Sequence, residues 1–343
     1  MIRVLVVDDS ATVRELLVRI FQSDPEFQVV GVARDGLEAV ALTGRLRPDV
    51  ITMDIRMPRM DGFQATKQIM RQFPTPIVVV SASVEAEDLK IAFNAIRAGA
   101  LTVVEKPDGP ASNSFETIRN QLLTTVKLMA GVKVVRRWAT DLLCPTRVPA
   151  AGLKTKEAQT ALVAIAASTG GPGALYQMLQ SLPPDLPVPV LVVQHIAVGF
   201  GQGLVDWLAG ATKLRVETAR HGVLPSAGQV LVAPDNAHLL LGPDGRVRLR
   251  PRADERDLCP SADILFASVA EVLGRRALGV IMTGMGQDGV EGLKRLKAAG
   301  GRVLAQDESS CVVFGMPKEA IAAGVVDRVV PLDKIAETIV QML

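Results

Sequence analysis

The sequence predicts two α/β domains, each built on a mostly parallel sheet with helices on both faces. Short apolar runs alternate with segments of helical periodicity along most of the chain, which is typical of such folds. The length of 343 residues suits two domains of ordinary size. Between residues 131 and 160 the alternation stops and basic residues accumulate. We therefore predict domains at residues 1–125 and 160–343, joined by a basic linker at 126–159.

The first domain is predicted to contain five β–α units. Five apolar runs alternate with five segments in which apolar residues recur every three or four positions. Strands are expected at 2–7, 28–33, 49–54, 76–82 and 101–105, and helices at 11–21, 36–46, 61–73, 85–98 and 115–130. This order indicates a parallel sheet that is covered by helices on both faces.

Five polar residues stand at the ends of four of these strands, namely Asp8, Asp9, Asp54, Ser81 and Lys106. Ligands bind to such sheets at the carboxyl ends of the strands. Three neighbouring carboxylates repel one another unless a cation joins them, and their hard oxygen ligands suit Mg²⁺. A lysine ammonium and a serine hydroxyl beside them can contact phosphoryl oxygens. Each residue alone is more often solvated than functional, but the five together predict a site.

This pattern resembles the receiver domain of two-component response regulators, which has a flavodoxin-like (βα)5 fold. The five residues match the family's motif, as does the stretch Met-Pro-Arg-Met-Asp-Gly at 57–62. The resemblance implies that Asp54 accepts a phosphoryl group from a phosphohistidine of a histidine kinase. It also implies that Asp8, Asp9 and Asp54 hold Mg²⁺ and that Ser81 and Lys106 contact the phosphoryl oxygens. The fifth strand lacks the aromatic residue that serves as a switch in this family, so the chain departs from the usual switch mechanism at that point.

The second domain is predicted to be doubly wound as well. Buried strands are expected at 161–167, 188–193, 277–282 and 302–306, and helices at 174–182, 201–208, 261–273 and 290–299. Four short segments at 214–218, 229–233, 238–242 and 247–250 are separated by turns. We interpret these four segments as an antiparallel addition to a mostly parallel sheet.

The turn after the first strand of this domain carries a candidate nucleophile, Ser168. Its hydroxyl is expected at the carboxyl edge of the sheet, beside a helix N-terminus that favours negative charge. Such a position suits a nucleophile that must generate an oxyanion. The simplest alternative is a serine that only caps the helix. A phosphate-binding loop is disfavoured, because Gly170, Gly171 and Gly173 do not have the G-x-G-x-x-G spacing and no lysine follows them.

Two other segment ends supply the partners that a serine nucleophile requires. Serine is a weak nucleophile until a base removes its proton. His195 follows the second strand and is the candidate base, and Asp288 is the candidate carboxylate that orients it. His195 could instead be a satisfied strand-end histidine, and Asp288 a helix cap. The competing side chains, which we regard as weaker candidates, are His221, His238, Cys259 and Cys311.

The second half of the chain resembles the catalytic domain of the chemotaxis protein-glutamate methylesterase (CheB) family. Five stretches carry the resemblance, at 167–172, 194–195, 260–263, 283–289 and 310–317. It implies a Ser168, His195 and Asp288 triad, with the Met285 amide in the oxyanion hole and Thr169 near the site. Two departures are small, namely Gln287 where asparagine is usual, and Leu258-Cys259 where a basic residue is common.

The resemblance implies hydrolysis of glutamate γ-methyl esters on methyl-accepting chemotaxis receptors, and deamidation of receptor glutamines. It implies a CheA-type histidine kinase as a partner and an unphosphorylated receiver that covers the active site. We expect no cofactor for the esterase reaction. The first alternative is a signalling module whose second domain binds a partner without catalysis. A small-molecule serine esterase is disfavoured, because the sequence has no evident lid for an acyl chain.

Composition excludes several other classes of function. The net charge is only +2, and the basic excess lies in the linker, so no nucleic-acid partner is expected. There is no signal peptide pattern and no apolar run long enough to span a bilayer, so we expect no membrane insertion. Three widely separated cysteines do not suggest a disulfide framework or a zinc site. We therefore expect a cytoplasmic protein.

Overall fold

The computed structural model describes residues 1–81, 86–109, 112, 115–132, 134, 160–254 and 257–343. The chain divides into two compact units, Met1–Leu142 and Leu143–Leu343. Most of the predicted basic linker, residues 135–159, lies outside the described residues. Within the described ranges, no helix is both long and apolar enough to cross a membrane.

The first unit is a five-stranded parallel sheet with the strand order β2-β1-β3-β4-β5. Its strands are β1 (Ile2–Val7), β2 (Phe27–Ala33), β3 (Val50–Met53), β4 (Ile77–Ser81) and β5 (Thr102–Glu105). Its helices are α1 (Ala11–Gln22), α2 (Gly36–Leu46), α3 (Gly62–Gln72), α4 (Ala86–Ala98) and α5 (Phe115–Ala130). All five predicted β–α units are present, and the predicted fold class is confirmed for this unit.

Local sequence explains where the first three helices begin. The side chains of Ser10, Asp35 and Asp61 each accept a hydrogen bond from the amide three residues further on. Such a cap satisfies one of the N–H groups that a helix leaves free at its start. A Cβ at position 62 would lie 2.1 Å from the carbonyl oxygen of Asp54, so only glycine lets α3 begin this close to the strand end.

The second unit is a seven-stranded sheet with the order β14-β13-β12-β6-β7-β9-β8, and all its neighbouring strands are parallel. The strands are β6 (Leu162–Ala167), β7 (Val190–Gln194), β8 (Arg215–Thr218), β9 (Gln229–Val232), β12 (Ala277–Ile281), β13 (Arg302–Gln306) and β14 (Arg328–Val330). The helices are α6 (Gly171–Ser181), α7 (Gly201–Ala209), α8 (Ala262–Leu273), α9 (Val290–Ala298), α10 (Met316–Ala322) and α11 (Leu332–Gln341). A separate antiparallel hairpin pairs β10 (Ala237–Leu241) with β11 (Val247–Pro251). The predicted doubly wound, mostly parallel class is confirmed.

The prediction of a four-stranded antiparallel addition is wrong for two of its strands. β8 and β9 pair in parallel and extend the main sheet. All four residues of β9 are buried, as expected for a strand whose two faces are both covered. The chain returns from β8 to β9 through residues 219–228 without a helix, so the usual sequence signal of a parallel crossover is missing.

Helix α6 begins three residues earlier than its predicted start at 174. Gly170 takes a positive φ of 79° as the N-cap, and Pro172 lies in the first turn, where its missing N–H costs nothing. The helix therefore starts immediately after the turn that carries Ser168. This arrangement brings its N-terminus to the carboxyl edge of the sheet.

Candidate active site

Ser168 lies at the carboxyl edge of the seven-stranded sheet, between the ends of two neighbouring strands. Its amide donates to the carbonyl of Thr283, 3.0 Å away, beyond the end of β12. On its other side, the amide of His195 donates to the carbonyl of Ala167, also at 3.0 Å. Ala167 pairs with Gln194 in the register of β6 and β7, so Ser168 and His195 occupy the next adjacent positions. Both residues therefore leave the sheet side by side.

The side chains of His195 and Asp288 are in direct contact. His195 Nε2 lies 2.8 Å from Asp288 Oδ2, and the two side chains are only 11% and 10% exposed. A bond of this length fixes the orientation of the imidazole and favours the ring tautomer with the proton on Nε2. Nδ1 is then the nitrogen that remains to accept a proton.

The side chain of Asp288 binds the N-terminus of α8. Its carboxylate accepts hydrogen bonds from the Ser261 hydroxyl at 2.8 Å and from the amides of Ala262 and Asp263 at 2.6 and 3.1 Å. Burial alone would raise the pKa of Asp288, but the bonds from His195 and these two amides outweigh burial and lower it. The positive end of the α8 dipole acts in the same direction. Asp288 is therefore a stable carboxylate beside the His195 ring.

The carboxylate of Asp263 performs the matching role for α9. Its Oδ1 accepts hydrogen bonds from the amides of Gly289 and Gly292 at 3.0 and 2.8 Å. A Cβ at position 292 would lie 2.5 Å from the Asp263 carbonyl oxygen, so glycine allows α8 and α9 to approach closely. Sequence analysis assigned no role to Asp263. Its one signal was its place in the 260–263 stretch that carries the family resemblance.

Two further buried residues fix the backbone around Ser168. The Gln194 amide nitrogen donates to the carbonyls of Ser168 and His195, each at 2.8 Å. The Thr283 hydroxyl donates to the carbonyl of Thr169 at 2.9 Å, and its amide donates to Gln306 Oε1. These bonds connect the strand ends that carry the candidate nucleophile and base. Sequence analysis gave neither Gln194 nor Thr283 a function.

Two backbone amides near Ser168 are available to a substrate. Among the residues that the structure describes, the N–H groups of Thr169 and Met285 donate to no other protein group. Met285 stands in an exposed turn that continues through Gly286, whose φ is 88°. Free amides beside a nucleophile are the donors that an oxyanion requires.

The competing residues have other environments. His238 is buried and its Nδ1 accepts from the amide of Ser261 at 3.2 Å, so it supports the residue that binds Asp288. His221 Nδ1 accepts from the Leu249 amide on the hairpin. Burial raises the pKa of Cys259, and burial together with the Asp307 charge raises the pKa of Cys311 to about 12. Neither thiol is poised to act as a thiolate.

The first unit brings its strand-end residues together in the same way. Oxygen atoms of Asp8, Asp9 and Asp54 all lie within 4.8 Å of one another. Lys106 Nζ lies 2.7 Å from Asp8 Oδ2 and 2.9 Å from Asp54 Oδ1. Ser81 is buried at the end of β4, and its carbonyl accepts from the Lys106 amide at 2.9 Å. Four of the five residues that sequence analysis selected are therefore in one cluster, and Ser81 adjoins it through the backbone of Lys106.

The charged groups of this cluster shift one another's pKa values. Burial raises the pKa of Asp54 to about 6, although the Lys106 charge opposes this shift. Burial tends to lower the pKa of Lys106, but the charges of Asp54 and Asp8 outweigh it and raise it. A compact set of carboxylate oxygens of this kind fits a hard divalent cation such as Mg²⁺.

A cluster of three carboxylates and a lysine in a five-stranded α/β unit, and Ser168, His195 and Asp288 at the edge of a seven-stranded unit, form the arrangement expected of a response regulator with a hydrolase output domain. The family model for CheB methylesterase matches residues 163–339, and that for the response regulator receiver domain matches residues 4–112. The chain therefore belongs to the CheB methylesterase family. Both resemblances stated from the sequence are confirmed.

Full-length relatives support the same conclusion. The protein-glutamate methylesterase/protein-glutamine glutaminase 4 of Myxococcus xanthus is 49% identical over 336 residues, covering 98% of this chain and 95% of the relative. The corresponding protein 3 of Anaeromyxobacter dehalogenans is 49% identical over 98% of both chains. The crystal structure of the Thermotoga maritima CheB methylesterase catalytic domain matches with a TM-score of 0.52 and 37% identity, covering 54% of this chain and all of that domain.

Proposed function

We propose that this chain is a protein-glutamate methylesterase that is activated by phosphorylation of its receiver domain. Its substrates are glutamate γ-methyl esters on methyl-accepting chemoreceptors, and it also deamidates receptor glutamines. The observation that carries the proposal is the 2.8 Å contact between His195 and Asp288 at the strand end next to Ser168. The names of the full-length relatives point to the same two activities.

Ester hydrolysis would proceed through an acyl-enzyme. The Ser168 hydroxyl attacks the γ-carbonyl carbon while His195 Nδ1 accepts the hydroxyl proton, and Asp288 stabilises the imidazolium that forms. The proton then passes to the leaving oxygen, and methanol departs. Water attacks the acyl-enzyme with His195 again as base, which releases the glutamate and restores Ser168. A glutamine side chain follows the same course with ammonia as the leaving group.

The free amides of Thr169 and Met285 are assigned to the oxyanion that forms in each step. Backbone donors that are fixed before reaction stabilise this charge without reorganisation, and each is typically worth about 10²–10³ in kcat. The hydroxyl of Thr283 holds the carbonyl of Thr169, and the turn at Gly286 presents Met285. The esterase step therefore needs only groups of the chain itself.

Asp54 is assigned as the phosphoryl acceptor, and a CheA-type histidine kinase as the donor. Asp8, Asp9 and Asp54 would hold Mg²⁺, which supplies positive charge to neutralise the transferring phosphoryl group. Lys106 and Ser81 are within the same cluster and would contact the phosphoryl oxygens. We also propose a cytoplasmic location, since the free thiols of Cys259 and Cys311 suit a reducing compartment.

Methanol release from membranes that contain methyl-labelled chemoreceptors tests the proposal. Ser168→Ala should reduce release to the background rate while the thermal unfolding temperature stays unchanged. Ser181→Ala is the matched control, since Ser181 lies at the end of α6 and its hydroxyl donates to the Gln177 carbonyl in its own helix. Substantial activity in Ser168→Ala would contradict the mechanism. Wild-type protein that binds receptors without releasing methanol or ammonia would favour a non-catalytic binding module.

A further inference from the structure

The first of the two amides assigned to the oxyanion belongs to a peptide group whose carbonyl oxygen is bound twice. The Thr169 amide is part of the same peptide group as the Ser168 carbonyl. That carbonyl accepts hydrogen bonds from the Gly171 amide and from Gln194 Nε2, both at 2.8 Å. A trans peptide group is planar, and its N–H and C=O point in opposite directions. The two bonds therefore fix the direction of the Thr169 N–H, which points away from both donors.

The second amide is fixed in the same way. The Met285 amide is part of the same peptide group as the Gly284 carbonyl. That carbonyl accepts hydrogen bonds from the amides of Gly315 and Met316, at 3.0 and 2.9 Å, where α10 begins. Three of the donors to these two carbonyls are backbone groups, and the fourth is the side chain of Gln194. Gln194 is therefore the donor that a substitution can remove.

The orientation of the Gln194 side chain follows from its neighbours. Gln194 is the last residue of β7 and is only 2% exposed. Its Nε2 donates to the carbonyl of His195 as well as to that of Ser168, each at 2.8 Å. The reversed amide would place its oxygen against these two carbonyl oxygens, so the nitrogen is the atom that faces them. A Cβ at position 171 would lie 2.0 Å from Gln194 Oε1, so this oxygen lies against the first residue of α6.

The other end of the Gln194 amide has a cost that packing does not explain. Oε1 is buried and accepts from no protein group within the part of the chain that the structure describes. A buried acceptor without a donor destabilises the folded protein, although the positive end of the α6 dipole offsets part of this cost. An apolar side chain of similar volume would fill the position without it. The contribution that only an amide makes here is the pair of hydrogen bonds from Nε2, and such exceptions to good packing are expected at functional sites.

We propose that Gln194 is a positioning residue of the oxyanion hole, which holds the peptide group between Ser168 and Thr169 so that its N–H faces the oxyanion. The hydrogen bond to the carbonyl also polarises this peptide group, which makes its N–H a stronger donor. The inference rests on the proposed function, because the oxyanion forms only if Ser168 attacks a carbonyl carbon. Gln194 acts on the transition state through Thr169, so its loss should lower kcat and leave KM unchanged.

Two peptide substrates test this role in the full-length protein. Both carry one glutamate γ-methyl ester, and in the second peptide sulfur replaces the carbonyl oxygen of that ester. Sulfur is the weaker hydrogen-bond acceptor, so the sulfur ester gains less from the oxyanion hole and wild-type protein should cleave it more slowly. Gln194→Met keeps the length of the side chain but has no N–H. Its kcat for the oxygen ester should fall about 10-fold to 10²-fold, less than for loss of a whole donor, because the Gly171 amide still binds the carbonyl. Its kcat for the sulfur ester should fall less.

Gln229→Met is the matched control. Gln229 is also a buried glutamine, and it begins β9, the strand next to β7, where its side chain binds Glu217 and Ser226. Its replacement should leave kcat for both esters unchanged. An unchanged kcat in Gln194→Met, or an equal fall for both esters, would overturn the proposal, because an equal fall indicates a structural role. If urea denaturation shows that Gln194→Met does not fold, Gln194→Glu replaces it, since an ionised carboxylate has a similar shape and no N–H.

A measurement without turnover separates this proposal from the proposed function. The amide nitrogen resonance of Thr169 in an NMR spectrum responds to the hydrogen bonds of the Ser168 carbonyl, since these polarise the same peptide group. It should shift in Gln194→Met and keep its position in Gln229→Met. If wild-type protein cleaves neither ester, the proposed function fails, and a shift confined to Gln194→Met still supports the hold of Gln194 on this peptide group. An unchanged Thr169 resonance in Gln194→Met would overturn the positioning role, whatever the activity.

Discussion

Asp288 caps the start of α8, in which Asp263 lies, and Asp263 caps the start of α9, which Asp288 precedes. Asp288, in the loop before α9, accepts from the first amides of α8, and Asp263, in the first turn of α8, accepts from the amides at the start of α9. Burial raises the pKa of Asp263, whereas the bonds that Asp288 receives lower its pKa despite burial. The orientation of Asp288 toward His195 therefore depends on how these two helices pack.

Replacement of Asp263 should weaken both folding and catalysis. Asp263→Ala removes the acceptor of two amides, so we expect a loss of about 1 kcal/mol in the free energy of unfolding, which is typical of a lost helix cap. We also expect a lower kcat with a smaller change in KM, because Asp288 would lose its fixed position. Urea denaturation and the methanol assay measure the two effects.

Two matched variants accompany Asp263→Ala. Asp263→Asn keeps an oxygen acceptor for the amides of α9 and should stay close to wild type. Asp333→Ala removes an exposed aspartate from the first turn of α11 and should change neither quantity by more than a few tenths of a kcal/mol. Wild-type kcat in Asp263→Ala would show that Asp288 does not depend on this pair.

The lowered pKa of Asp288 predicts a specific loss of stability in acid. The carboxylate is favoured in the folded protein, so its contribution is fully present above the ordinary value of 3.8 and is lost as the pH falls through the lower folded pKa. Asp288→Asn has no charge to titrate. Its stability should therefore fall less than that of wild type as the pH drops below about 4.

Urea midpoints of both proteins measured between pH 6 and pH 2.5 test this expectation. Parallel curves for the two proteins would contradict the assigned ionisation of Asp288. At neutral pH, Asp288→Asn should lower kcat by about 10⁴-fold, as expected when the base is held in the wrong tautomer. A change confined to KM would instead assign Asp288 to substrate binding.

The alternation of strands and helices was sufficient to predict where most candidate site residues lie. Ser168 and His195 follow strands with continuous apolar runs, and the receiver residues stand at or just after strand ends, so their position at the carboxyl edge follows from the fold class alone. Asp288 precedes α9 after a longer turn and was found in the same way. The sequence was therefore sufficient to predict the carboxyl edge of each sheet as the place of the site and the types of residue that lie there.

The supporting residues could not be found in this way. Asp263 and Gln194 act through amides and carbonyls of segments distant in sequence, and a polar side chain gives no sign of such a partner. His238 was only a weaker candidate for the base, but its Nδ1 accepts a hydrogen bond from the Ser261 amide. The parallel pairing of β8 with β9 was missed for a related reason. No helix separates these strands, and pairing direction is a tertiary property.

Phosphorylation should be confined to Asp54. Incubation with a small-molecule phosphodonor and Mg²⁺ should label wild-type protein, and Asp54→Ala should reduce the label to background. Asp61→Asn is the matched control, because asparagine also caps α3 well and Asp61 lies in the loop after the acceptor. It should keep most of the label. Label recovered on another residue, or labelling that persists after Mg²⁺ is chelated, would contradict the receiver assignment.

The receiver should lower the activity of the catalytic domain until it is phosphorylated. A fragment from Thr160 onward is expected to fold, because it forms a compact unit and the crystallised Thermotoga domain covers just this half of the chain. Phosphorylation adds about −1.5 to −2 charges at Asp54 and gives Lys106 and Ser81 a new partner. Phosphorylation can shift the equilibrium between an inhibited and an active state only by the difference in its interactions with these two states. The equilibrium constant changes about tenfold for each ~1.4 kcal/mol of that difference.

We therefore expect the fragment to release methanol faster than the unphosphorylated full-length protein. Phosphorylation of the full-length protein should raise its rate toward that of the fragment, and Asp54→Ala should prevent the rise. The fifth strand, Thr102–Glu105, has no switch aromatic, so we expect the signal to depend on Lys106 and Ser81. Lys106→Met should then uncouple the domains, with label still present but no increase in rate. Equal rates for the fragment and the unphosphorylated full-length protein would remove the basis for inhibition by the receiver.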